Sequence, residues 1–257
     1  MFFDTHAHLD DKRFDKDREQ LISGLPARDI ANVVNVGADM ESSRRSIGLA
    51  ESYDFIYASV GVHPHAAAGM DDTDLDQLAI LAIEPKVVAI GEIGLDYYYD
   101  NSPRLVQKER FAHQLELSGR VGLPVIIHNR EAHKDTLDIL RAHRSILKGG
   151  VMHCYSGSWE MAKDFIDLGF YIALGGPVTF KNAKKPPELA ANLPIEHLLI
   201  ETDCPYLTPH PFRGKRNDPG LIRHIADRIS EIRHMDLSEI ARVTKKNACR
   251  LFNIPGK

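Results

Sequence analysis

The stretch Val87-Val88-Ala89-Ile90-Gly91-Glu92-Ile93-Gly94-Leu95-Asp96 decides how this chain is read, because it is apolar on consecutive positions and turns acidic only toward its end. Successive strand side chains point to opposite faces, so an unbroken apolar run belongs to a strand covered on both faces, as parallel strands flanked by helices are. Outward from it the same kind of run recurs at Ala31 to Gly37, Ile56 to Val62, Val125 to His128, Val151 to Cys154, Tyr171 to Leu174 and Leu198 to Ile200. With Phe2 to Leu9 and Val87 to Ile93 these make eight candidate strands.

Helical patterns alternate with the strands. Ser102-Pro103 opens one that ends before Gly122, with the early proline and the terminal glycine that helices favour. Trp159, Ala162 and Ile166 share one helical face, and Ile222, Ile225, Ile229 and Ile232 share another, both as core stripes. Two helices, Pro219 to His234 and Leu237 to Phe252, follow the last strand, so a terminal helix is expected to cap the ring. Eight β-then-α units without a Pro/Gly/Ser linker predict one α/β domain over residues 1–257, a (β/α)8 TIM barrel with an extra C-terminal helix.

The 257 residues are 43% hydrophobic and 26% charged, which excludes a disordered chain and provides a substantial core. Lys plus Arg number 32 against 36 Asp plus Glu, a net charge of −4, so any contact with nucleic acid must come from a local basic surface. No apolar run approaches the roughly 18 residues of a membrane span, and Met1-Phe2-Phe3-Asp4-Thr5-His6 has no signal-peptide pattern, so no membrane partner and a cytoplasmic location are expected. Three cysteines, Cys154, Cys204 and Cys249, share no CxxC spacing, which fits a reducing compartment.

The polar residues gather where strands give way to helices: His6 and His8, His63 and His65, Glu92 and Asp96, His128 to Arg130, His153, and Glu201 with Asp203. In a barrel those ends converge on the face that carries active sites. His6 and His8, two apart on a strand, point the same way. Together with Glu92, His128, His153 and Asp203 they form an imidazole and carboxylate set without thiolate, suited to zinc, manganese or magnesium. The set is too large for one catalytic zinc and suits two divalent ions, with Glu92 bridging, His6, His8 and Asp203 completing one ion, and His128 and His153 the other. Asp203 is the expected acceptor of the attacking water's proton, and Glu92 and Asp203 are the expected catalytic carboxylates. Asp4 and Glu201, each two residues before a ligand, are expected either to fix an imidazole tautomer or to be satisfied by backbone.

These motifs, Asp4-Thr5-His6-Ala7-His8-Leu9, Gly91 to Tyr98, Leu123 to His128, His153 to Gly157 and Glu201 to Tyr206, resemble the TatD-type metal-dependent deoxyribonucleases of the amidohydrolase superfamily, in order from residue 4 to about 252. The resemblance implies a (β/α)8 barrel, a divalent-metal site on His6, His8, Glu92, His128, His153 and Asp203, and hydrolysis of DNA phosphodiesters. Many amidohydrolase relatives bridge their metals with a carboxylated lysine, and Glu92 takes that place here.

Around the ligands, Arg130 and Arg213 are the expected phosphate contacts, with His63 and His65 as further donors. Lys181, Lys184 and Lys185 are loop cations, solvated or substrate-facing, and Tyr97, Tyr98 and Tyr155 either stack on bases or pack under the loops. The expected partner is DNA, single-stranded or at its ends. The rival function is a two-metal hydrolase of the same fold acting on a small amide, ester or lactone, and a non-catalytic scaffold would not need the full ligand set. The oligomeric state is not legible in the sequence.

Overall fold

A computed structural model describes residues 1–255. Strands β1 (Phe2–Ala7), β2 (Ile30–Val36), β3 (Ile56–Val60), β4 (Val87–Asp96), β5 (Val125–Arg130), β6 (Gly150–Met152), β7 (Phe170–Leu174) and β8 (Leu198–Ile200) form one eight-stranded sheet in chain order. The pairs are parallel, and a parallel bridge between Ala7 and Cys204 joins the first strand to the chain leaving the last. The fold is a (β/α)8-type parallel barrel with additional helices, including a C-terminal one. The helices are α1 (Arg18–Gly24), α2 (Met40–Ser52), α3 (Asp72–Leu81), α4 (Arg104–Val121), α5 (His133–Ala142), α6 (Trp159–Asp167), α7 (Lys185–Asn192), α8 (Ile222–Arg233) and α9 (Leu237–Leu251).

By its contacts the chain divides into two compact units. The first comprises Met1–Asn35, Cys154–Ala162 and the chain from Ile172 onward; the second comprises Val36–His153 and Lys163–Tyr171. Within the first, α9 lies along β1 and β8. Phe252 meets Phe3 at 6.1 Å between ring centroids, and the Asn247 amide donates to the carbonyls of Ile195 and Leu198 at 2.8 and 2.9 Å. The C-terminal helix is therefore held on the outer side of these strands by an aromatic contact and two capped carbonyls.

The second unit contains the strand from which the sequence reading began. Every residue of β4 is buried, as its consecutive apolar positions require. The strand runs three residues past the expected end at Ile93, because Gly94, Leu95 and Asp96 pair with His128, Asn129 and Arg130 of β5. Gly94 permits this approach: its φ is +139°, and a Cβ there would collide with the His128 carbonyl oxygen. Helix α4 packs on β4 and ends as expected at Gly122, whose φ of 77° closes it in the left-handed region, while it starts one residue later than a Ser102 cap would place it, at Arg104 with Pro103 in the cap position. The acidic run after Met70 has a local task, since Asp71 and Asp74 form the capping box of α3. Among the described residues no helix is long and apolar enough to cross a membrane.

Asp4 pins the first strand to the end of the eighth. Fully buried, its carboxyl accepts the Thr202 hydroxyl at 2.5 Å, the Thr202 N–H at 2.9 Å and the His6 N–H at 3.3 Å. Burial pushes the carboxyl up to about 7, against the opposing pull of the Thr202 and His6 donors. Asp4→Ala should destabilise the protein by about 3 kcal/mol or more, since unmet buried donors cost roughly 1–3 kcal/mol each, as read from urea unfolding. A pH series on metal-free protein checks the charge. With ionisation at 3.8 in the ordinary state and near 7 when folded, the folded form holds the extra proton across that window, and stability from this group declines as pH rises through it. Asp4→Asn, which cannot ionise, should lack that component.

Candidate metal centre

In the first unit, His6 on β1 and His8 just past its end turn to one side, and their Nε2 atoms lie 3.1 Å apart. Asp203 Oδ1 stands 3.9 Å from His6 Nε2 and 3.6 Å from His8 Nε2. Two backbone bonds hold this register, Asp203 N–H to the His6 carbonyl at 2.9 Å and His8 N–H to the Cys204 carbonyl at 2.8 Å. Asp203 itself has a φ of 54°, an orientation that aspartate tolerates better than most side chains. His6 is fully buried, while His8 and Asp203 keep 15% and 14% of their side chains exposed, so the cluster opens to solvent on one side. A four-coordinate zinc, with donors near 2.0–2.1 Å, sets neighbouring donors roughly 3.3 Å apart. Two imidazoles and a carboxylate with spacings of 3.1, 3.6 and 3.9 Å fit a divalent cation.

The second unit builds a cluster around Glu92, buried midway along β4. Its Oε1 lies 2.7 Å from His128 Nδ1, 3.6 Å from His63 Nε2 and 3.7 Å from His153 Nε2. On the other side of the His128 ring, Nε2 meets Asp96 Oδ2 at 3.0 Å, and His65 Nε2 reaches the same oxygen at 3.1 Å. Burial pulls the His128 ring toward neutrality, but hydrogen bonds to Asp96 and Glu92 outweigh it and raise the pKa. Burial also raises Asp96, and there His128, the Tyr99 N–H and His65 prevail, holding the carboxyl well below its usual range. A proton on His128 and a cation at Glu92 thus compete for the same donors.

His63 differs from its neighbours. Burial, then the adjacent His128, drives its pKa well below the ordinary value. Its Nδ1 accepts the His65 N–H at 3.1 Å, so the neutral ring carries its proton on Nε2, the nitrogen that faces Glu92. His63, Glu92 and His128 lie close enough to share a cation, yet this tautomer makes His63 a hydrogen-bond donor aimed into the cluster.

Other expected residues fall outside these donor sets. The Arg130 guanidinium lies over Tyr98 and Tyr99, 3.9 and 4.7 Å from their centroids, with both tyrosines more than half exposed. Arg213 rests on Phe180 at 3.8 Å in the first unit. Tyr97 donates to Asp135 at 2.7 Å, and Tyr155 is buried with its hydroxyl on the Ser158 carbonyl, so both are packing residues. Lys181, Lys184 and Lys185 face solvent. Of the two alternatives for Asp4, backbone satisfaction and the Thr202 hydroxyl prevail over an imidazole; Glu201 accepts the Cys154 N–H at 2.6 Å. Sequence reasoning gave Asp96 no role, although positions 92, 94 and 96 share one strand face and the glycine between them leaves space for His128.

The family described as TatD related DNase matches residues 3–253. An uncharacterized metal-dependent hydrolase of Bacillus subtilis, YabD, is 49% identical over 254 residues, 99% of this chain and 100% of the relative. The 3′-5′ ssDNA/RNA exonuclease TatD of Cronobacter sakazakii is 34% identical, over 97% of each chain. The solved structure of YjjV, a TatD homolog from Escherichia coli K12, superposes with a TM-score of 0.93 at 34% identity, covering 99% of this chain and 98% of that one. The barrel, the two donor clusters and these matches agree, and the chain belongs to the TatD family of metal-dependent hydrolases.

Proposed function

We propose that this chain hydrolyses phosphodiester bonds of DNA, acting on single strands or ends, with a divalent ion held by each cluster. Its two imidazole and carboxylate clusters, His6–His8–Asp203 and Glu92–His128 with His63 and His153 beside it, carry this proposal. Divalent cations held there supply stabilisation of the phosphoryl oxygens and activation of water near neutral pH. The protein's own groups do the rest. Asp203, partly exposed beside His8, accepts the proton of the attacking water. The Nε2–H of His63 donates to a phosphate oxygen, and Arg213, its guanidinium seated over Phe180, donates N–H groups to the neighbouring phosphate. The Cronobacter relative's nuclease activity supports the phosphodiester as substrate.

Labelled single strands, offered to the metal-loaded protein beside a panel of esters and amides, provide the direct test. Cleavage of the panel alone overturns the nuclease assignment. Glu92→Ala should lose at least one of about two bound equivalents by metal analysis, with hydrolysis nearly abolished and the fold retained; unchanged metal content would remove Glu92 from the ligand set. Asp203→Asn keeps the size and one oxygen but not the basicity, so turnover should fall about 10²-fold or more while some metal is retained. Arg213→Ala should lower cleavage roughly ten- to a thousandfold and flatten the salt dependence of strand binding by about one phosphate contact. Metal content in that variant should stay unchanged, and an identical salt slope would take Arg213 away from the phosphate.

A further inference from the structure

The turn that follows Asp203 carries an exposed aromatic side chain that no donor cluster uses. Tyr206 is 47% exposed, and its ring stands 6.1 Å from that of His8 in an edge-to-face arrangement at 82°. Arg13, from the short 3-10 helix after β1 (Lys12–Phe14), lays its guanidinium over the Tyr206 ring at 4.1 Å. Neither side chain is loosely placed. Arg13 Nε and Nη2 donate to Asp11 Oδ1 and Oδ2, both at 2.9 Å, which fixes the plane of the guanidinium. The Tyr206 N–H donates to the Asp203 carbonyl at 2.9 Å, and its carbonyl accepts the amide of the fully buried Asn217 at 2.7 Å.

Burial does not account for a pair held this way, since Tyr206 leaves nearly half its surface in water and its hydroxyl comes no nearer to Asp11 than 3.5 Å. A guanidinium seated over an aromatic ring at the solvent edge of the His6–His8–Asp203 cluster matches the chemistry that unpaired nucleobases seek, a face to stack on with no hydrogen-bond pattern to satisfy. We propose that Tyr206 and Arg13 form a nucleobase-stacking subsite that seats the base of a nucleotide next to the scissile phosphate, whatever its identity. The subsite rests on the nuclease function proposed above and names the substrate feature that function would recognise: an unstacked base. Asp11 acts through Arg13 as a positioning residue.

A double cycle of protein variants and substrate variants tests this. Wild type, Tyr206→Ala, Tyr206→Phe and Tyr206→Trp are assayed, metal-loaded, on an intact single-stranded decanucleotide and on versions with one abasic residue placed in turn at the first three positions from either end. Binding of the same strands to metal-stripped protein is followed by fluorescence anisotropy. Tyr206→Ala should raise KM and Kd for the intact strand by roughly 5- to 150-fold, the worth of one base stack, with kcat nearly unchanged, while the Phe and Trp variants keep wild-type values. At one position the abasic strand should cost the wild type the same factor and cost Tyr206→Ala nothing further. If Tyr206→Ala behaves as wild type, or impairs intact and abasic strands by equal factors, the subsite is overturned and cleavage of DNA stands. A wild-type protein that cleaves none of these strands but hydrolyses esters overturns the nuclease function and the subsite together.

Discussion

The first donor cluster depends on the parallel pairing between β1 and the chain that leaves β8. Asp4 and Thr202, 198 residues apart, are joined through a buried carboxyl, and the bonds from Asp203 to His6 and from His8 to Cys204 continue the ladder. The entropy of closing so long a span grows only logarithmically, about 0.6 kcal/mol per doubling of length, so a short set of buried hydrogen bonds, each worth about 1 kcal/mol net, can hold it. Register then does the chemical placement. A slip of one residue would turn His6 and His8 to the opposite face and leave Asp203 facing neither. The same bonds that stabilise the first unit therefore set the 3.1 to 3.9 Å spacings on which cation binding rests.

The second cluster follows from a different constraint, the closeness of β4 and β5. Gly94 opposite His128 removes the side chain that would hold the strands apart, and the two acidic residues flanking it in the alternation, Glu92 and Asp96, reach opposite nitrogens of one imidazole at 2.7 and 3.0 Å. A ring held between two carboxylates has its orientation fixed without help from packing. Asp96 extends the network outward, since its other oxygen accepts the N–H groups of Tyr98 and Tyr99 at 3.0 and 2.8 Å. One side chain, Asp96, thus ties the shape of the loop to the orientation of the imidazole that Glu92 holds from the other side.

Strand identity and order were legible because apolar runs and their polar ends carry their own periodicity, and the pairing of His6 with His8 needed nothing more than a period of two. His128 and Glu92 were legible for the same reason. His63 was found as a site residue but not as a buried, neutral donor, because it lies past the end of β3, where backbone alternation no longer dictates direction and the tautomer is set by the His65 N–H. Asp96 is visible in the sequence as a polar strand end but without a role, because its place opposite Arg130 depends on the strand continuing past Ile93, which it does because Gly94 tolerates a φ that other residues do not. Arg13, on a short 3-10 helix, and Tyr206, on a turn, stand 193 positions apart and have no shared pattern to reveal their contact, which only the tertiary structure creates.

Net charge decides which form of nucleic acid such a site can take. At −4 the chain has no bulk attraction for a polyanion, so recognition on the proposed function relies on short-range contacts such as the Arg213 guanidinium and the Tyr206–Arg13 face. In a duplex each base is already stacked and paired, and freeing one costs a few kcal/mol, as much as or more than the roughly 1–3 kcal/mol a protein stack returns. In a single strand or at a frayed end much of that cost is absent and the return is kept. On the proposed function, a fixed aromatic face beside the His6–His8–Asp203 cluster would therefore select unpaired nucleotides by energetics alone, without reading any base.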